Sequence, residues 1–400
     1  MKKYILIGTG FLFLLMQSTS CAHSDIPQYD KFEYSKPVDD GKEDWEDDIT
    51  NFDKPKDVPP YEGFELVENL SDEFNAAEID LEKWHLTKPG WRGRGSSFMP
   101  ENLSVKDGIL HLRSTVIGTD EQLEELYGLI EDAYVKDNSM HYAEIDANTW
   151  DPMEQYGTFW TVDWSDETKT KLDQINALGM DCLGAAAITT KAYGGRGVYE
   201  ARIKASNIAM SSAFWLQGDH NLEMDITESY GHSSVVENNS NRDSQYHINT
   251  SVWLNTPQLG GGLGAVEPQG TLHNTPIYSE WFVLRLDWME KYLTVYINDK
   301  KVYEFPLEGV RTTKPDASGN YYEVPLEYFN CMQQVIFDTE VLMGPTQGWP
   351  TKKELMDETR NAFCVDWVRV WKDPNEDWSK AATKDNQHDP LTPIPGGATE

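Results

Sequence analysis

Apolar and polar residues alternate with a period of two along much of the chain. From Leu103 to Leu112 the alternation holds on both sides of Asp107-Gly108, and that pair predicts a two-residue hairpin turn. Further runs of the same kind cover residues 198–204, 212–217, 246–253, 281–288, 293–305 and 363–371. Within the fifth of these, Leu293, Val295 and Ile297 share one face before a turn at Asn298-Asp299. Strands at this spacing, joined by turns, predict an all-β fold of antiparallel sheets stacked as a sandwich.

One region departs from that rhythm. Leu123, Leu126, Tyr127 and Ile130 recur at helical spacing behind Asp120, which is read as the cap. A second helix is expected over residues 166–178, with Gly179 as its stop. Together they form a partly helical insertion on the sandwich at about residues 115–183, serving either as a cover or as a wall of a cleft. A short third helix is expected to begin at Thr351, where Thr351 and Glu354 can form a capping box after Pro350.

The richest chemistry lies in Asn-Leu-Glu-Met-Asp-Ile-Thr-Glu-Ser-Tyr, residues 221–230. In a strand Glu223 and Asp225 share one face, with Met224 and Ile226 on the other. Glu228 is out of phase by one position, and a single β-bulge after Ile226 would bring it back to that face. Like charges gathered on one face cost stability, and no Lys or Arg lies between Ala205 and Val235 to offset them. Glycoside hydrolysis needs such a group: one carboxylate as nucleophile and one protonated acid for the leaving oxygen. A solvated acidic strand or a carboxylate cage for calcium would show the same bare pattern.

Charge narrows the partners. With 34 basic against 67 acidic side chains, the net charge is −33, which disfavours nucleic acid and anionic membrane surfaces. The 14 Trp and 19 Tyr supply core and stacking surface. The pattern calls for no cofactor, and a monomer is expected.

The first residues carry an address. Lys2 and Lys3 precede an apolar run from Tyr4 to Met16, and Gln-Ser-Thr-Ser-Cys follows, ending at Cys21. This resembles a bacterial lipoprotein signal with Cys21 as the lipidated residue, although Ser18 stands where Leu is usual. Ordinary signal cleavage nearby is the alternative. The expected location is the bacterial cell envelope, as an outer-membrane lipoprotein that is surface-exposed or periplasmic. Residues 22–60 are acidic and bear proline, as suits a solvated tether, and residues 374–400 form a polar tail. Between them, residues 61–373 make the expected catalytic domain. Cys182, Cys331 and Cys364 allow at most one disulfide.

Several blocks resemble glycoside hydrolase family 16. Tyr193-Gly-Gly-Arg-Gly-Val-Tyr-Glu-Ala-Arg-Ile-Lys-Ala-Ser206 is followed by Ser211-Ser-Ala-Phe-Trp-Leu216, then by Glu223-Met-Asp-Ile-Thr-Glu228. The bulged Glu-x-Asp-x-x-Glu form is that family's signature. The resemblance covers most of residues 60–372 and implies a β-jelly-roll sandwich with a concave cleft for polysaccharide. It further implies Glu223 as nucleophile, Glu228 as acid/base and Asp225 as the residue that tunes the nucleophile. Some relatives bind structural calcium away from the cleft; its ligands are not identified by spacing here.

Candidate substrate contacts follow. Trp215 lies on the strand before the acids, separated by the turn at residues 218–221, and an indole suits the apolar face of a sugar. The stretch Trp91-Arg92-Gly93-Arg94 resembles a substrate-binding loop of galactan-cleaving members, with Trp91 and Arg94 as contacts. His247 stands where some members place a cleft histidine. The approach Trp215-Leu-Gln-Gly-Asp-His-Asn-Leu-Glu223 looks more like agarases and porphyranases than like laminarinases. A retaining endo-hydrolase of a red-algal galactan, of agarose or porphyran type, is therefore expected. κ-Carrageenan or β-glucan as substrate, transglycosylation, and a non-catalytic surface glycan-binding lipoprotein are the alternatives.

Overall fold

The computed structural model describes residues 52–89, 95–131, 166–218, 222–230, 246–249, 269–272, 281–310, 320, 322–341 and 349–383. Cys21, Trp91 and Arg94 lie outside them, as does the turn at 219–221. Seventeen strands follow one another among these residues. The first six are β1 (Glu65–Leu66), β2 (Trp84–His85), β3 (Ser97–Phe98), β4 (Leu103–Lys106), β5 (Ile109–Arg113) and β6 (Thr115–Val116). Then come β7 (Leu183–Thr190), β8 (Gly197–Lys204), β9 (Ser211–Gln217), β10 (Glu223–Tyr230), β11 (Tyr246–Asn249) and β12 (Gln269–Leu272). The last five are β13 (Phe282–Trp288), β14 (Tyr292–Ile297), β15 (Lys300–Pro306), β16 (Gln334–Thr339) and β17 (Ala362–Lys372).

They form two sheets. One runs in the order β15-β14-β13-β8-β17-β5-β4, with β1 on β17; the other runs β12-β11-β10-β9-β16-β7-β2, with β3 and β6 on β7. Every pairing is antiparallel except the short β3 with β7. The two turns expected from sequence are present. Asp107 and Gly108 take φ of 55° and 78°, and Asn298 and Asp299 take 49° and 63°, the left-handed pair that a two-residue hairpin requires.

Alternation puts one face of each sheet into a common core. Tyr199, Ala201 and Ile203 of β8 face Phe214 and Leu216 of β9, Met224 and Ile226 of β10, and Val335 and Phe337 of β16. Phe337 joins the layers, stacking on Phe214 at 4.7 Å and lying 6.1 Å from Phe363 of the opposite sheet.

Two helices make a second cluster. Leu123, Leu126 and Ile130 of α1 (Asp120–Glu131) pack with Ile175 of α2 (Asp166–Cys182) against Leu183, Ala185, Met210, Val341 and Trp349. Leu183 and Ala185 share strand parity with Ala187 and Thr189, so the helices stand on the β7 face that turns away from the core. The cap of α1 is Thr119 rather than Asp120: Thr119 Oγ1 accepts from Gln122 N–H, and Gln122 Oε1 accepts from Thr119 N–H at 2.9 Å. Nor does Gly179 end α2, which runs on to Cys182. A Cβ there would lie 2.4 Å from the carbonyl oxygen of Gly95, so the glycine permits close packing. The capping box of Thr351 and Glu354 opens α3 (Lys352–Leu355) as expected. All three cysteines are buried free thiols, so the disulfide that the count allowed does not form among them.

The expected tether ends earlier than residue 60. On the outer side of the first sheet, Arg285, Glu200 and Arg369 sit in one cross-strand row. Residues 52–61 cross this row as a strap. Phe52 O accepts from Arg202 Nε at 2.7 Å, Asp53 Oδ1 from Trp367 Nε1 at 3.0 Å, and Lys54 O from Arg369 Nη1 at 2.7 Å. Lys54 Nζ donates to Glu200 Oε2 at 2.7 Å, and Tyr61 closes the strap on Asp287. At the other end, residues 374–383 are also held, with Trp378 Nε1 donating to Arg196 O and Ala382 bridging to Cys331.

Glu200 is buried and the Lys54 side chain is largely covered, so Lys54→Ala strands a carboxylate inside the strap. The expected loss is about 3 kcal/mol, the scale of a broken buried pair. Thermal unfolding should show it as a fall of roughly 6–12 °C. An unchanged melting temperature would show that the strap contributes nothing.

Candidate active site

The acids lie on β10, and its pairing with β9 explains how they meet. Glu223 pairs with Gln217, Met224 with Leu216 and Asp225 with Trp215; the register then slips, and Thr227 pairs with Phe214. Ile226 is the extra residue, one position before the bulge expected from sequence. Beyond it Glu228 pairs with Ala213. Residues 213, 215 and 217 lie on one face of β9, so Glu223, Asp225 and Glu228 do too. The bulge keeps Ile226 and Thr227 both buried, so the core loses no apolar contact when the phase changes. Glu223 and Glu228 retain partial exposure while Asp225 is buried.

The same rows continue across the sheet. Gln334, Ile336 and Asp338 of β16 pair with Gln217, Trp215 and Ala213. Trp215 therefore shares the face with the acids, as expected, and lies in the row of Asp225. Its ring is buried, its Nε1 donates to Asp338 Oδ2 at 3.0 Å, and Lys88 Nζ lies 5.7 Å from the ring centroid. His247 of β11 is in backbone register with Glu228, which places its position beside the acid/base candidate.

Four groups here were not found from sequence. Gln217 Nε2 donates to Glu223 Oε2. Lys88 arrives from a distant loop and lies close enough to favour the Glu223 anion, so the acids are not without a cation. Asp338 and Glu340 add two carboxylates from β16 and its end. Parity on β9 could have pointed to Gln217; Lys88, Asp338 and Glu340 carry no local signal and come together only through the fold.

Crowding shifts the acids upward. Burial, then the Glu228 charge, push the Glu223 carboxyl up to about 7, with Lys88 opposing and Glu340 adding. Asp225 is held well above the ordinary carboxylate range by burial, then by Glu223 and Glu228. Asp338 is raised likewise by burial and Glu340. These acids cannot all ionise together, and the face retains protons near neutrality. The arrangement thus offers both carboxylate and carboxylic acid within one row system. Among the described residues no group of three or more His, Cys, Asp and Glu side chains is placed to hold a metal ion.

Comparison with known proteins agrees with this chemistry. Residues 161–373 match the family described as Beta-porphyranase A-D, GH16 domain. The chain is 26% identical over 345 residues to Beta-porphyranase D of Zobellia galactanivorans, covering 82% of this chain and 66% of that protein. It is 25% identical over 326 residues to Beta-porphyranase E of the same organism, covering 78% and 89%. The crystal structure of porphyranase B from Zobellia galactanivorans superposes with a TM-score of 0.51 at 19% identity, over 81% of this chain and 98% of that one, a likeness of fold. The matched domain takes in more than half of the 400 residues and includes the whole acid strand, and the chain belongs to glycoside hydrolase family 16, in its β-porphyranase A–D group.

Proposed function

We propose that this protein is a retaining endo-β-galactanase that cleaves porphyran-type polysaccharide, with agarose as the nearest alternative. The observation that carries the reading is the bulge at Ile226, which sets Glu223, Asp225 and Glu228 opposite Gln217, Trp215 and Ala213 on one face. Glu223 attacks the anomeric carbon while Glu228 gives its proton to the leaving oxygen. Glu228 then takes a proton from water as that water attacks the glycosyl-enzyme and frees Glu223. Asp225, buried between them and slow to lose its proton, relieves the strand of one negative charge. The Gln217 amide and Lys88 favour the anion on Glu223. Trp215 borders the acid row, with its indole held on Asp338.

The lipoprotein-like signal supports attachment at the cell envelope through Cys21. The strap lies on the outer side of the first sheet, whereas the acids face outward from the second. An anchor at the N-terminal side would thus approach the domain from behind the site. Incorporation of labelled palmitate into the wild-type protein, lost in Cys21→Ser, tests this; equal labelling would remove Cys21 as the anchor.

Glu223→Gln is nearly isosteric and removes the nucleophile. Reducing-end release from porphyran or agarose should fall by at least about 10⁴-fold, the scale for losing a covalent nucleophile. Residual activity near wild type would end the assignment. The same variant should be the more stable protein at alkaline pH. The folded Glu223 binds its proton more tightly than the unfolded chain does, so wild-type stability from this group falls as pH rises from the ordinary range to about 7. Gln removes that loss, and at pH 8 the gain is on the order of 1–3 kcal/mol.

The acid limb of kcat/KM reports the free enzyme. It should fall near pH 7 rather than in the ordinary carboxylate range, because Glu223 must ionise to attack. Glu340→Gln removes a charge that raises Glu223, so the limb should move to lower pH. A limb that stays in place would mean another group controls it.

A further inference from the structure

Asp338 takes no part in the steps above, although it shares the acid-bearing face. It pairs with Ala213, which pairs in turn with Glu228, so one row across three strands reads Glu228, Ala213, Asp338. Neighbouring strands lie about 4.8 Å apart, so two carboxyl-bearing positions stand roughly 9.6 Å apart with one methyl group between them. The next row reads Asp225, Trp215, Ile336, and it sets the indole along one side of that gap.

The two oxygens of Asp338 differ. Oδ2 accepts from Trp215 Nε1 at 3.0 Å, while Oδ1 is buried without a hydrogen-bond partner. Thr189 Oγ1, on β7 opposite Ile336, is another buried oxygen without a partner. Buried polar atoms are rarely left unpaired, and two on the face that carries the acids indicate a place that a ligand completes. Among the described residues no cation pairs with Asp338. Buried among other carboxylates, it keeps its proton.

Resting on the galactanase reading, we propose that Asp338 is a substrate-positioning residue, whose carboxyl seats a free sugar hydroxyl over Ala213 and fixes the Trp215 indole. Since Oδ2 already accepts from the indole, the proton on Oδ1 is available to a hydroxyl oxygen, whose own hydrogen can go to Thr189 or Glu228. A sulfate ester is a poor occupant, because the row itself offers it carboxyl groups, and the Lys88 ammonium nearby lies over the indole and acts on Glu223. The sugar unit beside the acid/base is therefore an unsulfated one.

Binding measured by calorimetry in the Glu223→Gln background separates this from turnover. Defined neutral agaro-oligosaccharides, partly sulfated porphyran oligosaccharides and a persulfated oligosaccharide are the probes. Asp338→Ala should weaken binding of the first two by about 10-fold or more, the scale of a lost buried hydrogen bond with its partner stranded. Asp338→Asn keeps an acceptor for the indole and a donor for the hydroxyl, and should recover most of that loss. Ala213→Val closes the gap with a residue suited to strands and should weaken binding by a similar factor while leaving Asp338 intact. The persulfated probe should compete poorly. Parental affinity in Asp338→Ala or Ala213→Val, equal weakening in Asn and Ala, or effective persulfated competition would each overturn the proposal. If Asp338→Ala fails to fold, the other two variants decide. Failure of the Glu223→Gln parent to bind either galactan probe would overturn the galactanase reading itself, and Asp338 with it.

Discussion

Carboxylates held close together in a poorly solvated place repel one another, and the acid face of the second sheet is built around that repulsion. Glu223, Asp225 and Glu228 come from one strand, Asp338 from a strand two places along, and Glu340 from just beyond its end. Water would disperse these charges, but Asp225 and Asp338 are buried. The energy is lowered instead by protons, which is why the acids titrate upward. Such a face destabilises the fold, and the stacked core of Phe214, Phe337 and Phe363 directly beneath it must hold the strands in register.

The outer face of the first sheet handles charge in the opposite way. There Arg285, Glu200 and Arg369 alternate in sign across three strands, and the strap adds Lys54 to the middle carboxylate. Trp371 Nε1 donates to the other oxygen of Glu200 at 2.9 Å. Every charge in that row has a partner of opposite sign. Two sheets of one sandwich thus carry buried carboxylates in one case neutralised by cations and in the other by protons. Only the second kind can give a proton to a leaving group.

Much of this was legible before the fold was known. The hairpins at Asp107-Gly108 and Asn298-Asp299 follow from local turn chemistry, and the strands around them from alternation. The acid strand was readable because its three carboxylates sit at spacings that only a bulge reconciles, although the extra residue is Ile226 itself and not the one after it. What stayed hidden depends on long-range contact. Gly179 looked like a helix stop because the carbonyl of Gly95 that it must accommodate is far away in sequence. The strap looked like tether because its charged residues have partners nearly 150 residues or more distant. Lys88, Asp338 and Glu340 were missed for the same reason.

Lys88 shows why a scarcity of cations is useful here. Its ammonium lies over Trp215 and lowers the cost of an anion on Glu223, the group that must be negative to attack. A second cation beside Asp225 would ionise that carboxyl as well, and the face would gain stability. It would also lose one of the protons that the crowded carboxyls share. A retaining mechanism requires one carboxyl charged and its partner protonated at the same pH, and identical side chains reach different states only if their surroundings differ. One cation placed toward Glu223, with the buried Asp225 and Asp338 kept from ionising beside it, makes the surroundings of the two working carboxyls unequal. The unfavourable electrostatics of the acid face are accordingly a condition of its chemistry.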